Sequence, residues 1–206
     1  MKSDVAAVGR MLTLAGVLMA LGVMGEWVLG PQRPDGSVVR PGVFAALVAA
    51  TTVGWGLLGV AARRLRRVAV TETRGVRVGA RLLLVGAVLL VIGGVAVMST
   101  GLVTGTPAGA SFVAFGLGML LAAAGAITVG IAYRRQSPVG GAWLLLLLAG
   151  AASLVAIVAP VDRVHEASMA ASFAGWSLLG ARLWSASRST AAAPQSGGAV
   201  DRAVPA

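Results

Sequence analysis

From Val5 to Trp184 the chain repeats one pattern six times: a long apolar run, then a short break rich in Pro, Gly or Arg. About twenty apolar residues suffice to cross the hydrocarbon core of a bilayer as a helix, and there a helix satisfies its own backbone polar groups. The runs cover Val5–Val28, Val43–Ala62, Arg81–Met98, Gly109–Tyr133, Gly140–Val158 and Val164–Trp184. Pro31, Pro34, Gly36 and Pro41 break the first connection, Gly105, Thr106 and Pro107 the third, and Ser137 and Pro138 the fourth, while Pro160 closes the fifth run. Gly and Ala inside the runs do not argue against helix, because small residues let membrane helices approach closely.

Composition points the same way. Charged residues make up 12% of the chain and hydrophobic ones 57%, against about a quarter charged in a soluble domain. So few charges cannot cover a folded surface with solvated groups. The expected fold is an all-α membrane protein, with residues 1–184 forming a six-transmembrane-helix bundle. Lys2 and Arg10 ahead of Met11–Val23 imitate a signal peptide, but no small-x-small cleavage site follows. Glu26-Trp27 instead reads as an interface anchor ending a retained helix.

The arginines set the orientation. Arg63, Arg64, Arg66, Arg67, Arg74, Arg77 and Arg81 lie in or beside the second connection, and Arg134 and Arg135 in the fourth. With Lys2 and Arg10 at the start and Arg182, Arg188 and Arg202 at the end, fourteen of the 17 basic residues fall on one side of a six-span bundle. The other side has Arg33, Arg40 and Arg163. The positive-inside rule therefore predicts both termini in the cytoplasm, whereas five or seven spans would scatter the arginines. The same rule accounts for the net charge of +10; no aromatic residues interleave with the arginines, so nucleic-acid binding is not expected. Residues 185–206, rich in Ser, Ala, Pro and Gly, read as a disordered cytoplasmic tail. The Ala, Gly, Val and Arg bias with a single Lys suggests a GC-rich bacterial genome, hence the bacterial inner membrane.

Parts of the sequence match one another. Gly54-Trp55-Gly56-Leu57-Leu58-Gly59 recurs as Gly175-Trp176-Ser177-Leu178-Leu179-Gly180, and Gly130 precedes Arg134-Arg135 as Gly59 precedes Arg63-Arg64. Gly9 and Gly16 correspond to Gly79 and Gly86. These matches read as three consecutive helical hairpins, against the alternative of chance in a Gly/Ala/Leu-rich alphabet.

Candidate chemistry is sparse. There is no cysteine and one histidine, which excludes disulfides, thiolate nucleophiles and multi-histidine metal centres; no metal or cofactor is expected. No Asp, Glu, Lys or His falls mid-span, which weighs against ion-coupled transport. What remains is an outer polar collar of Glu26, Arg33, Asp35, Arg40, Asp162, Arg163, His165 and Glu166. Asp162 and Glu166 share a helix face with His165 near its edge, so Asp162 could orient the imidazole for acid–base work. A helix cap with acids in its first turn explains the two carboxylates equally well. Trp55, Gly59, Ala171, Gly175 and Trp176 are candidates for helix packing or for lining a ligand site, and Trp27, Trp143 and Trp184 for interface anchors.

The stretch Pro160-x-Asp162-x-x-His165, followed by Ala170, Ala171 and Phe173, resembles an uncharacterised family of six-helix bacterial membrane proteins. In that family a Pro-x-Asp turn and a His open the last helix. The resemblance implies the span count and brings no established activity. The expected role is non-enzymatic: a small membrane component that packs with a protein partner or second copy, or binds a lipid or apolar ligand. The alternatives are a membrane enzyme acting on a lipid-like substrate through Asp162, His165 and Glu166, and a small transporter or exporter subunit.

Overall fold

A computed structural model describes residues 2–30, 32–33, 36–68, 73–107, 109–134, 141–158 and 162–192. They form six helices: α1 (Lys2–Leu29), α2 (Pro41–Val68), α3 (Arg74–Thr104), α4 (Gly109–Arg134), α5 (Ala142–Val158) and α6 (Asp162–Ala192). Most extend past the apolar runs, because hydrophobicity marks where a helix meets lipid and not where its hydrogen bonds stop. Caps stop them instead. Thr73 caps α3 by accepting from the Val76 N–H, and Gly105 ends it in the left-handed conformation at φ 76°. The sequence reading ended the last helix at Trp184, but α6 runs on to Ala192. In that extension the Arg188 guanidinium lies 4.3 Å from the centre of the Trp184 ring. The tail beyond Ala192 lies outside the described residues.

Four helices, α1 to α4, are long and apolar enough to cross a membrane. The apolar α5 has 17 residues, and α6 is longer but interrupted by serines and by charges towards both ends. Large apolar side chains face outward around the bundle, among them Leu21, Val53, Val85, Ile92, Leu117 and Leu148. So broad an apolar exterior needs lipid as its solvent, and the chain is a helical membrane protein.

Each helix packs against its chain neighbours, and α1 packs against α6, so the six close into a ring. Neighbours run antiparallel: down α3, Gly79 meets Val129, Gly86 meets Ala122 and Gly93 meets Phe115 of α4. Two seams are as close as backbones allow. A Cβ on Gly86 would lie 2.6 Å from Ala122 N and 2.7 Å from Gly118 O, and one on Gly125 would lie 2.7 Å from Gly79 O. On the far side of the ring, a Cβ on Gly9 would lie 2.7 Å from Trp184 N and 2.8 Å from Gly180 O. Glycine is required at these positions because any side chain would displace main chain. The seam between α5 and α6 adds a buried hydroxyl pair, Ser153 and Ser172, 2.8 Å apart, with Ser153 also donating to Ala149 O.

The matched segments fall into two groups in this ring. Gly59, Gly130 and Gly180 each face the next helix round, meeting Ala87, Leu147 and Thr13. Gly54 and Gly175 each face the preceding helix, meeting Ala15 and Ala149. The first set is equivalent in all three hairpins and the second in two of them. Gly9 and Gly16 face α6, the helix behind α1, whereas Gly79 and Gly86 face α4, the helix ahead of α3; these are not equivalent.

The middle of the ring is filled by side chains. Trp55 of α2 and Phe173 of α6, whose helices are not ring neighbours, meet edge-on with centroids 5.6 Å apart. Leu12, Met19, Leu58, Leu83, Leu90 and Leu146, with Met119 and Val129 of α4, complete a core drawn from all six helices. This waist closes the bundle, and one end of the ring is open above it.

Candidate functional site

At the end where α1 stops and α6 begins, the helices enclose a cavity of about 750 Å³. Its wall is built from Val23 and Glu26 on α1, Val48, Thr51 and Thr52 on α2, Gly94 and Val97 on α3, Phe112 and Phe115 on α4, and His165 and Met169 on α6. The volume lies in the range of small-molecule sites, and the mix of apolar wall and few polar groups is characteristic of them. The two threonines add little polarity, because their hydroxyls already donate to the helix, Thr51 to Leu47 O at 3.1 Å and Thr52 to Val48 O at 2.7 Å. The polar side chains left to the cavity are therefore Glu26, His165, the Trp27 indole, and Gln32 and Arg33 of the α1–α2 connection.

That connection forms one side of the mouth and is held by its backbone. Gln32 and Val38 form an antiparallel bridge, Arg33 N–H donates to Ser37 O, and Gly36 makes the turn at φ 82°. Val38 N–H donates to Gly105 O at 2.8 Å, tying the connection to the end of α3. Arg40, a member of the predicted collar, donates from Nη1 to Leu29 O at 2.9 Å. It caps the carbonyl end of α1, where a cation complements the helix dipole, and it is not part of the cavity wall.

His165 Nδ1 lies 2.6 Å from the carbonyl oxygen of Ala156 at the end of α5. A carbonyl can only accept, so Nδ1 carries the proton and Nε2 is the nitrogen left for the cavity. The orienting group among the described residues is thus a main-chain carbonyl. The side chains of Asp162, Arg163 and Glu166, and all of Asp35, lie outside the described residues. Glu26 and His165, far apart in sequence, come to one cavity.

The predicted packing residues take different roles. Trp55 is 1% exposed and Trp176 3%, and a Cβ on Gly175 would lie 3.0 Å from that of Ala149. Ala171 faces outward, and the buried place beside it belongs to Ser172. Trp55 Nε1 is buried without a hydrogen-bond partner among the described residues. Sequence reasoning did not find Thr51, Thr52, Val97, Phe112, Phe115 and Met169 as cavity residues. Each looks like any other span residue until the ring fixes which face points inward. No group of His, Cys, Asp and Glu that could hold a metal ion occurs among the described residues.

Compared with protein-family models, curated proteins and solved structures, the chain matches none.

Proposed function

We propose that the protein is a six-span protein of the bacterial inner membrane that binds an apolar or amphiphilic ligand in its mouth cavity, without catalysing its conversion. The observation that carries this is the cavity of about 750 Å³, apolar in its wall and polar at Glu26, Gln32, Arg33 and His165. An amphiphile meets both parts: a hydrocarbon portion lies against Val23, Val48, Val97 and Phe115, and a polar head stays at the rim. The Trp55–Phe173 waist beneath the cavity favours holding a ligand over passing it through. The split of basic residues supports both termini in the cytoplasm and the mouth on the outer face. The sequence resemblance of the Pro160-x-Asp162-x-x-His165 stretch to six-helix bacterial membrane proteins supports the span count in this reading.

The test is mass spectrometry of small molecules retained by the detergent-extracted protein, set beside a Val97→Trp variant that fills the cavity. The expected result is an amphiphile in the wild type and its loss in the variant with folding intact. Equal retention by both rejects the reading. Orientation is tested separately: a cysteine at Thr106 should react with an impermeant thiol reagent in whole cells and one at Thr73 should not.

One observation favours a second reading, a membrane enzyme acting on a lipid-like substrate. The imidazole of His165 is fixed at Nδ1 and shares the cavity with Glu26, an arrangement suited to a general base. Asp162 or Glu166 would then assist it. Under this reading His165→Gln and Asp162→Asn each abolish a change in cellular lipid profile caused by overexpression. Under the binding reading both variants behave as wild type.

A further inference from the structure

The seam between α2 and α3 is tight near the mouth, where Gly94 abuts Thr52 and Gly101 abuts Phe44. Towards the other end it opens into a groove of about 480 Å³. The groove runs along Gly56, Gly59, Val60, Arg63 and Arg64 of α2 and Leu84, Ala87, Val88, Val91 and Ile92 of α3, with Trp55 at its floor. On both helices the spacing is that of a single face. We propose that this groove is a binding site for one anionic phospholipid of the leaflet at the arginine-rich end. An acyl chain lies along Gly56 and Gly59, and Arg63 and Arg64 hold the phosphate.

Three observations carry the assignment. First, Gly56 is not a packing glycine: a Cβ there would meet only Val91 Cγ2, at 3.9 Å. The missing side chain opens space and brings no helix closer. Second, the walls between the helices are apolar, and Val60, Val88 and Ile92 are 44%, 50% and 54% exposed; at membrane depth such a space takes hydrocarbon. Third, the charges stand at one end only. Arg63 and Arg64 follow Gly56 by two helical turns, about 10–12 Å along the axis, so a chain in the groove reaches a head group beside two guanidinium groups. Neither has a hydrogen-bond or ionic partner among the described residues, and a guanidinium pair matches phosphate oxygens geometrically.

The experiment is native mass spectrometry of the delipidated full chain titrated with phosphatidylglycerol or with phosphatidylcholine of the same acyl chains. Wild type should retain one phosphatidylglycerol with about a thirtyfold preference, in line with two arginines near a head group. Arg63→Gln with Arg64→Gln should remove the preference while leaving binding of either lipid. Arg10→Gln with Arg74→Gln, an equal loss of charge at the same end, should keep it. Gly56→Leu should abolish retention of both lipids at unchanged thermal stability; if it does not accumulate, Val88→Trp blocks the groove from the other wall. The assignment is overturned if Gly56→Leu leaves retention intact, or if inorganic phosphate displaces phosphatidylglycerol. It is also overturned if blocking the groove changes the oligomeric state, since the occupant is then a second chain.

Discussion

The seam between α3 and α4 and the arginine-rich half of the seam between α2 and α3 share a helix and a vocabulary of small residues, yet they use glycine in opposite ways. In the first, Gly79, Gly86, Gly118 and Gly125 each lie against the facing main chain, so that every Cβ would strike backbone closer than 3.0 Å. In the second, the Cβ of Gly59 would meet the side chain of Ala87 at 3.1 Å, and that of Gly56 would touch almost nothing. Membrane helices gain little from hiding apolar surface from one another, because lipid is as apolar as they are, so close contact itself must hold a seam. Where glycine admits that contact the seam is rigid. Where it leaves a gap, something else in the membrane fills it.

Substitutions separate the two uses, and the largest effect is expected at the closed seam. Gly86→Leu would push against Ala122 N and Gly118 O, and main chain cannot rotate out of the way as a side chain can. A loss at or beyond the ~3 kcal/mol upper range of overpacking is expected, read as failure to recover monodisperse protein in detergent. Recovery of stable Gly86→Leu protein would break the comparison. At the waist, Trp55→Ala should cost about 3–5 kcal/mol, as for other buried aromatic truncations. Trp55→Phe should cost much less, because it keeps the edge contact with Phe173 in part and removes an indole N–H that has no acceptor among the described residues. Both are read as shifts in unfolding temperature.

The seam between α5 and α6 stands between these extremes. Ser172→Ala should cost about 1 kcal/mol, typical of a hydroxyl contact between membrane helices, and adding Ser153→Ala should cost little more, since the pair is already broken. A double-mutant cycle in detergent measures it. The smallest effect is expected at the open seam: Gly56→Ala should change stability by no more than about 0.5 kcal/mol in either direction. A large loss there would mean that the gap closes in the membrane.

The sequence carried the helices far better than the cavity. Apolar runs and breakers located all six helices, and for α1 to α4 the length and apolarity needed to cross lipid are written in consecutive residues. Helix ends were less legible: α6 continues through Ser185 and Ser187 to Ala192 although neither the hydropathy nor the composition calls for it. Glu26 and His165 stood out early because charged and titratable groups are scarce in this chain. Val97, Phe115 and Met169 did not, since which face of a helix turns inward depends on the neighbours it finds. The capping contact of Arg40 is not legible in the sequence for a related reason. Its contact with Leu29 O depends on how the first connection folds back, which spacing alone does not encode. The glycines of α1 and α3 were noticed as similar, and only the ring reveals that they face different partners.

Closure of the ring through α1 and α6 has a consequence for biosynthesis. Of the two helices that close it, α1 is synthesised well before α6, so Gly9 and Gly16 present a bare strip of backbone until α6 has been made. The α3–α4 seam, formed between consecutive helices, has no such delay. Until α6 is in place the chain is an open row of helices with one unpaired flank, and closing it is a long-range step that contacts between consecutive helices do not need.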